Sequence, residues 1–218
     1  MLTFPESTLF NRRIPKSKFY HHLSVSHQLE QKFTQEVDTI VWKNKFSPET
    51  INIEKGKEVS EIQVMEVNLK NKSISDVIIE TIDRDIPYHL LFLLRYQDFA
   101  QLRISYKEYS KNREGKFKVD SYFQTEWMLL DQLFLAIEGI NLDKVYENFI
   151  IQIAGDQLQT KEDTDIKTSI DISKEVEKLK KDIQMMEKKM KQEKQFNRQV
   201  KLSGEIRKLK KELERKLK

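Results

Sequence analysis

An apolar repeat in the last fifth of the chain sets the strongest limit on how that region can fold. Val176, Leu179, Ile183, Met186 and Met190 recur at alternating spacings of three and four residues. On an α-helix that spacing makes one narrow seam, of the kind whose side chains insert between those of a facing helix. Glu193 and Asn197 interrupt the seam, and Leu202, Ile206, Leu209 and Leu213 resume it two residues out of phase. An unbroken helix over 176–218 would be about 65 Å long at ~1.5 Å per residue, too long to bury against a core of the size left upstream. A second helix must cover it, either from a partner chain or from the same tail bent back between Phe196 and Gly204. We expect the first, a coiled-coil tail for oligomerisation or docking, with those nine residues as the oligomer or partner interface.

Charge divides the chain near the same point. From Ser173 to Lys218 there are 17 Lys+Arg and 8 Asp+Glu, a net of +9, against 22 and 27 before it, a net of −5. A basic tail on a mildly acidic body suits a polyanion, and equally an acidic protein surface. None of the 218 residues is cysteine, which excludes disulfides, thiolate metal clusters and a cysteine nucleophile, and fits a reducing compartment. Residues 1–9 lack the basic-then-apolar layout of a secretion signal, and no run of about 18 apolar residues occurs. The expectation is a cytoplasmic protein without a membrane partner.

Upstream of the tail the periodicities alternate between helix and strand. Residues 11–20, with Pro15 in a basic stretch, read as an extended strap. Leu29, Phe33 and Val37 give a short helix over 27–37 capped by Ser26. Residues 39–43 read as a brief strand, and residues 47–50 as a capped turn. From Glu61 to Lys70, Met65, Val67 and Leu69 fall on one parity while Ile62, Val64, Glu66, Asn68 and Lys70 fall on the other, a strand with one apolar face. A helix over 74–85 follows, then a buried strand over 86–96 with Pro87 at its start, and an alternating partner over 101–107. A short strand is expected near 122–127, an ambiguous apolar stretch over 129–136, and a helix opened by Asp143 and closed by Gly155. The whole predicts an α+β fold: a mixed β-sheet core with packed helices over 1–159, a linker over 160–172, and a C-terminal long helix or coiled coil over 173–218.

Few residues suggest chemistry. Phosphate-loop, dinucleotide, G-x-S-x-G and H-E-x-x-H signatures are absent, and five glycines leave little room for a nucleotide nest. His21 and His22 are adjacent and point apart, with no third ligand at zinc spacing. His27 reads as helix-start surface, and His89, inside the apolar strand, reads as a buried histidine holding one hydrogen bond. Metal-dependent phosphodiester cleavage wants an acidic residue followed by E-x-K on a strand, so that carboxylates hold Mg²⁺ and the lysine faces the attacking water. Asp38, Glu66 and Lys70 approximate that set, with Glu66 and Lys70 on one strand face. Asn68 stands where the lysine is required, and the competing reading is a solvated strand edge. No catalytic residue, cofactor or metal is therefore assigned, and Mg²⁺ enters only with the nuclease alternative.

Arg12, Arg13 and Lys16 in the strap, with Lys188, Lys189, Lys191, Lys194, Arg198 and Lys201 in the tail, are the candidates for nucleic-acid contact through phosphates. Interspersed glutamates fit a solvated coiled-coil flank as well, and no aromatic platform interleaves with the basic residues. Asp83, Arg84 and Asp85 before Pro87 read as a polar helix end, with a functional loop as the alternative.

Several stretches resemble a bacterial family known as domain of unknown function 4391. They are Ile14-Pro15-Lys16 with Phe19-Tyr20, EVDTIVWKNKFSPETINI from Glu36, EIQVMEVNLK from Glu61, IDRDIPYHLLFLL from Ile82, SYKEY from Ser105, GINLDKVYENFIIQIAG from Gly139, and EKQFNRQVKLSGEIRKLKKEL from Glu193. The resemblance covers nearly the whole chain. It implies an accessory component found beside DNA helicase and DNA methyltransferase genes in restriction-like or phage-defence neighbourhoods, and it implies no catalytic residue. The expected function is a non-catalytic accessory or assembly subunit with a helicase or methyltransferase partner. A degenerate nuclease and a basic-tail DNA-binding module are the alternatives.

Overall fold

The computed structural model describes residues 2–21, 27–109, 117–159 and 164–217. It comprises two compact units, Met1–Gly155 and Asp156–Lys218. His22, the expected cap Ser26, most of the polar loop over 111–118 and the first residues of the expected linker lie outside the described residues.

The first unit is built on a mixed sheet. Strands β1 (Leu9–Ile14), β2 (Val37–Phe46), β3 (Ile62–Leu69), β4 (His89–Tyr96), β5 (Phe99–Tyr109) and β6 (Phe117–Gln124) lie in that spatial order, and a short β7 (Met128–Leu129) pairs with β5. Among these, β3 and β4 pair in parallel and the other neighbours are antiparallel. A parallel pair cannot be closed by a tight hairpin. Helix α4 (Asp76–Asp85) supplies the crossover. The expected α+β class and mixed sheet are what the chain adopts.

The pleat sorts the residues as their alternation predicts. Met65, Val67 and Leu69 of β3 join Leu90, Phe92 and Leu94 of β4 in one core with Ile78, Ile79 and Ile82 of α4. Phe19 of α1 (Ser17–His21) and Phe33 of α2 (His27–Glu36) complete it, their rings stacked at 6.2 Å. The opposite face carries α5 (Leu142–Ala154): its Phe149 meets Phe46 edge-on at 5.9 Å, and its Tyr146 hydroxyl donates to the Ser105 carbonyl at 2.5 Å.

Several elements depart from the reading of the sequence. The strap at its start is strand β1, because β2 runs for ten residues rather than five and needs an edge partner. Residues 17–21 are the helix α1, whose Phe19 is buried. The 47–50 capped turn is α3 (Pro48–Ile51), with Ser47 before it donating its amide to Thr50 Oγ1 at 2.9 Å. The stretch over 129–136 is neither strand nor long helix, since β7 ends at Leu129 and a single tight turn over Leu130–Gln132 follows.

Helix α5 is capped by Asn141, whose side chain accepts from the Lys144 amide at 3.0 Å. Asp143, expected to open that helix, is turned elsewhere. Its carboxylate accepts the backbone N–H groups of Lys57, Glu58 and Val59 at 2.7, 3.1 and 2.8 Å, which clamps the loop after Asn52 onto the start of α5. Gly56 is the residue that makes room, because a Cβ there would stand 1.9 Å from the Asp143 carboxylate.

The second unit is a helical hairpin. Helix α6 (Ile166–Gln192) begins inside the expected linker, capped by Asp165, which accepts from the Thr168 amide at 3.0 Å and hydroxyl at 2.7 Å. Helix α7 (Phe196–Leu217) returns antiparallel to it, with Lys210 on Glu187 at 2.7 Å and Lys216 on Glu175. The reversal falls where Glu193 breaks the seam. Val176, Leu179, Ile183 and Ile206 are buried, and Met186, Met190, Leu202, Leu209 and Leu213 are half-buried. The tail is thus two helices rather than one. The out-of-phase second seam folds back toward the first, and the stripe expected to meet another chain is covered in this one.

Replacing Asp143 with Ala removes three hydrogen bonds to a charged acceptor and should lower stability by about 2 kcal/mol. Gly56→Ala should cost a similar amount by expelling the same carboxylate. Urea unfolding of the full chain measures both, and a midpoint unchanged in either variant would contradict the clamp.

Candidate functional site

Strands β3 and β5 carry the charged groups that the sheet buries, one cluster on each face. On β3, Glu66 is 7% exposed. The antiparallel register with β2 and the parallel register with β4 bring Lys43 to 3.4 Å and Arg95 to 3.8 Å from its carboxylate. Asn68, on the same face, donates to Thr39 Oγ1 at 2.9 Å and to Glu66 Oε1 at 3.3 Å. The expected Asp38–Glu66–Lys70 set is not gathered by this arrangement. The Lys70 ammonium donates to the Thr34 carbonyl at 2.8 Å, and Asp38 is exposed where the β2–β3 register shifts between Val37 and Thr39. Among the described residues, no group of three or more acidic or histidine side chains could hold a metal ion.

The second cluster joins the crossover helix to β5. Lys107 and Asp83 pair at 2.8 Å with side chains 1% and 0% exposed. The ammonium also donates to the carbonyls of Tyr88 at 2.7 Å and Asp83 at 3.2 Å, while the Tyr122 hydroxyl donates to Asp83 Oδ2 at 3.0 Å. At the other end of α4, Arg103 holds Asp76 at 2.8 Å. Burial pushes the Lys107 ammonium below its ordinary range, and the Asp83 carboxylate pulls it partly back. Burial, then the nearby Asp83, pushes the Tyr122 phenol up, so the phenol stays a donor. Asp83 is therefore a core residue rather than a polar helix end. The sequence held the signal, since Asp83 falls on the stripe of Ile79 and Ile82, and Lys107 shares the parity of Arg103 and Ser105.

His89 lies between the rings of Phe117 and Tyr146, met edge-on at 4.8 and 4.6 Å. It is buried as expected, with aromatic edges against it. Burial, with the Lys107 charge second, pushes its pKa down to about 3.

The candidate nucleic-acid residues separate into two groups. Arg12 and Arg13 are exposed on the edge strand β1, and Lys16 donates to the Val37 carbonyl at 2.9 Å, so Lys16 closes the start of β2. The remaining six stand together at the turn of the α6–α7 hairpin. Lys189, Lys194, Arg198 and Lys201, with Glu193 and Glu205, line one open concavity there, of about 750 Å³. Glu193 accepts from the Gln195 amide at 2.9 Å, and its backbone carbonyl takes the Gln199 amide at 2.6 Å, which fixes the turn. Phe196, 74% exposed, stands between Lys194 and Arg198 in the chain. The expectation that no aromatic interleaves with the basic residues is corrected by this residue, which the sequence displayed but which read as a break in the seam.

In the first unit, residues 133–140 run along α5. Gln152 accepts from the Ala136 amide at 2.8 Å and donates to its carbonyl at 2.9 Å, and Asn148 donates to the Glu138 carbonyl at 2.7 Å. Phe134 and Ile140 on this pinned segment are 74% and 85% exposed.

The chain matches, over residues 2–213, the family model described as Domain of unknown function (DUF4391). No curated protein and no solved structure matches it. Among the described residues no helix is long and apolar enough to cross a membrane.

Two outcomes follow from the buried charges. Lys107→Met leaves Asp83 charged and uncompensated and should cost roughly 3–5 kcal/mol, whereas Lys107→Met with Asp83→Leu should recover most of that loss. Chemical unfolding of the three proteins checks this, and a double variant no better than the single would contradict it. Below its ordinary value of 6.5, His89 binds a proton in the unfolded chain that the folded chain refuses until about pH 3. Stability contributed by this group is thus lost as pH falls through that window, by up to ~1.4 kcal/mol per pH unit. His89→Gln should flatten the wild-type decline between about pH 6.5 and 4, measured as the difference in urea midpoints.

Proposed function

We propose, for a chain that belongs to the DUF4391 family from residue 2 to residue 213, that it is a non-catalytic accessory or assembly subunit of a bacterial DNA-processing system, docked on a helicase- or methyltransferase-type protein. The reading is carried by the segment over 133–140. Large apolar side chains scattered singly on a surface need no explanation. Phe134 and Ile140 differ in that the backbone displaying them is held to α5 by three side-chain hydrogen bonds, so their exposure is built in. Apolar anchors held on a fixed backbone in this way are what the centre of a protein interface uses. The ionised groups of the sheet support the same reading, because Glu66 and Asp83 are each already matched by cations within the unit.

The test is binding of the purified full chain to a helicase-type and a methyltransferase-type subunit of a bacterial DNA-processing system, by calorimetry. Phe134→Asp with Ile140→Asp should weaken the complex about 30-fold or more, the loss of one interface hot spot of ~2 kcal/mol, with an unchanged melting temperature. Wild-type protein that binds neither subunit, or a double variant of unaltered affinity, would overturn the proposal.

A further inference from the structure

The end of the α6–α7 hairpin holds more charge than its own fold uses. Between Lys188 and Lys201 there are six cations and one carboxylate. Glu193 is taken by Arg198 at 3.8 Å, and Glu187 just before this stretch by Lys210 at 2.7 Å. Lys188, Lys189, Lys191, Lys194 and Lys201 are exposed and have no salt-bridge partner among the described residues. Like charges gathered at a helix reversal repel one another, and the six do so in a stretch of 14 residues. Stability of the hairpin does not call for them, since the seam lies on the inner side and the interhelical ion pairs lie farther along.

A second, separate feature occupies the same end. Phe196 and Val200, 74% and 55% exposed, are four residues apart and share one face of α7. Arg198 and Lys201 share another face with the concavity, where with Lys189 and Lys194 they outnumber the lining carboxylates Glu193 and Glu205 by four to two. Cations on one side of a helix end and a bare aromatic ring on the other suit a ligand that carries regularly spaced anions and flat apolar rings together. We propose that the hairpin end binds single-stranded nucleic acid, with the strand crossing the start of α7, phosphates in the four-cation concavity and one unstacked base on the Phe196 ring.

The chemistry distinguishes this occupant from its neighbours. A duplex offers the same phosphates but keeps its base faces stacked, leaving the ring unused. An anionic membrane surface would want a broad apolar face, and Phe196 with Val200 is a small one without tryptophan. The inference stands on the hairpin alone and is independent of any partner of the first unit.

Fluorescence anisotropy of the full chain with a labelled single-stranded oligonucleotide, its duplex, and inorganic polyphosphate tests it across a salt series. For four phosphate contacts the single-strand affinity should fall with salt at a slope of about −3 on logarithmic axes. Phe196→Ala should weaken single-strand binding by ~5- to 160-fold, the range for loss of one stacked base, and leave polyphosphate binding unchanged. Arg198→Glu with Lys194→Glu should weaken both. These side chains are exposed, so helicity by circular dichroism should be the same in all variants and reports whether they fold. Equal affinity for duplex and single strand, an unchanged affinity in Phe196→Ala, or binding to anionic vesicles without binding to the oligonucleotide would each overturn the proposal.

Discussion

The contact between Lys107 and Asp83 is the fixture on which the arrangement of the first unit rests. Neither charge could stay in the core alone, since an isolated buried ion costs several kcal/mol even after relaxation. Together, with the Asp83 carboxylate also accepting from the Tyr122 hydroxyl and the ammonium donating to the Tyr88 carbonyl, they are tolerated. Their position matters more than their net energy. Asp83 belongs to the crossover helix and Lys107 to β5, so the pair ties the connection between the parallel strands to a strand outside that connection. Arg103 and Asp76 repeat the tie at the other end of α4. Four residues of strand cover about 13 Å and seven of helix about 10 Å, so the two ties are compatible in length and set both the height and the direction of the helix. Apolar packing alone, being non-directional, would leave that choice less sharply made.

The two units use charge in opposite ways. In the first, carboxylates on the sheet are buried against cations: Glu66 between the half-exposed Lys43 and Arg95, Asp83 beneath Lys107. In the second, the interhelical pairs are few and outward, and five lysines of the turn have no salt-bridge partner among the described residues. Charges neutralised internally shape a fold, whereas charges left over shape encounters with other molecules. The two proposals, assembly through one unit and polyanion contact through the other, follow that division.

Much of the fold could be read from the residues because local pattern and tertiary demand agreed. The alternation in β3, the apolar run of β4 and the stripe of α5 each had one solution. Elements set by distant partners were harder to see. Strand β1 is polar and contains Arg12 and Arg13, and only the need of β2 for an edge neighbour makes it a strand. The start of α6 hid among Thr, Ser and Asp because its cap lies at Asp165, ahead of any apolar repeat. The clusters were obscured for the same reason. Glu66 was legible as a special position on β3, but Lys43 and Arg95 reach it through registers with two other strands. The hairpin turn was marked by the broken seam, yet sequence spacing cannot say whether a broken seam awaits another chain or its own second half.

The hairpin also differs from the sheet in how far along the chain its contacts reach. Lys216 and Glu175 meet across 41 residues at most, and most contacts of the two helices are nearer. The clamp by Asp143 must find amides 84 to 86 residues away, and the Phe46 ring must wait for Phe149 of α5. Closing longer loops costs more entropy before any contact rewards it, and helices form faster than sheets of non-local strands. The second unit thus completes itself on a fast local clock, while the first searches for its registers on a slower one.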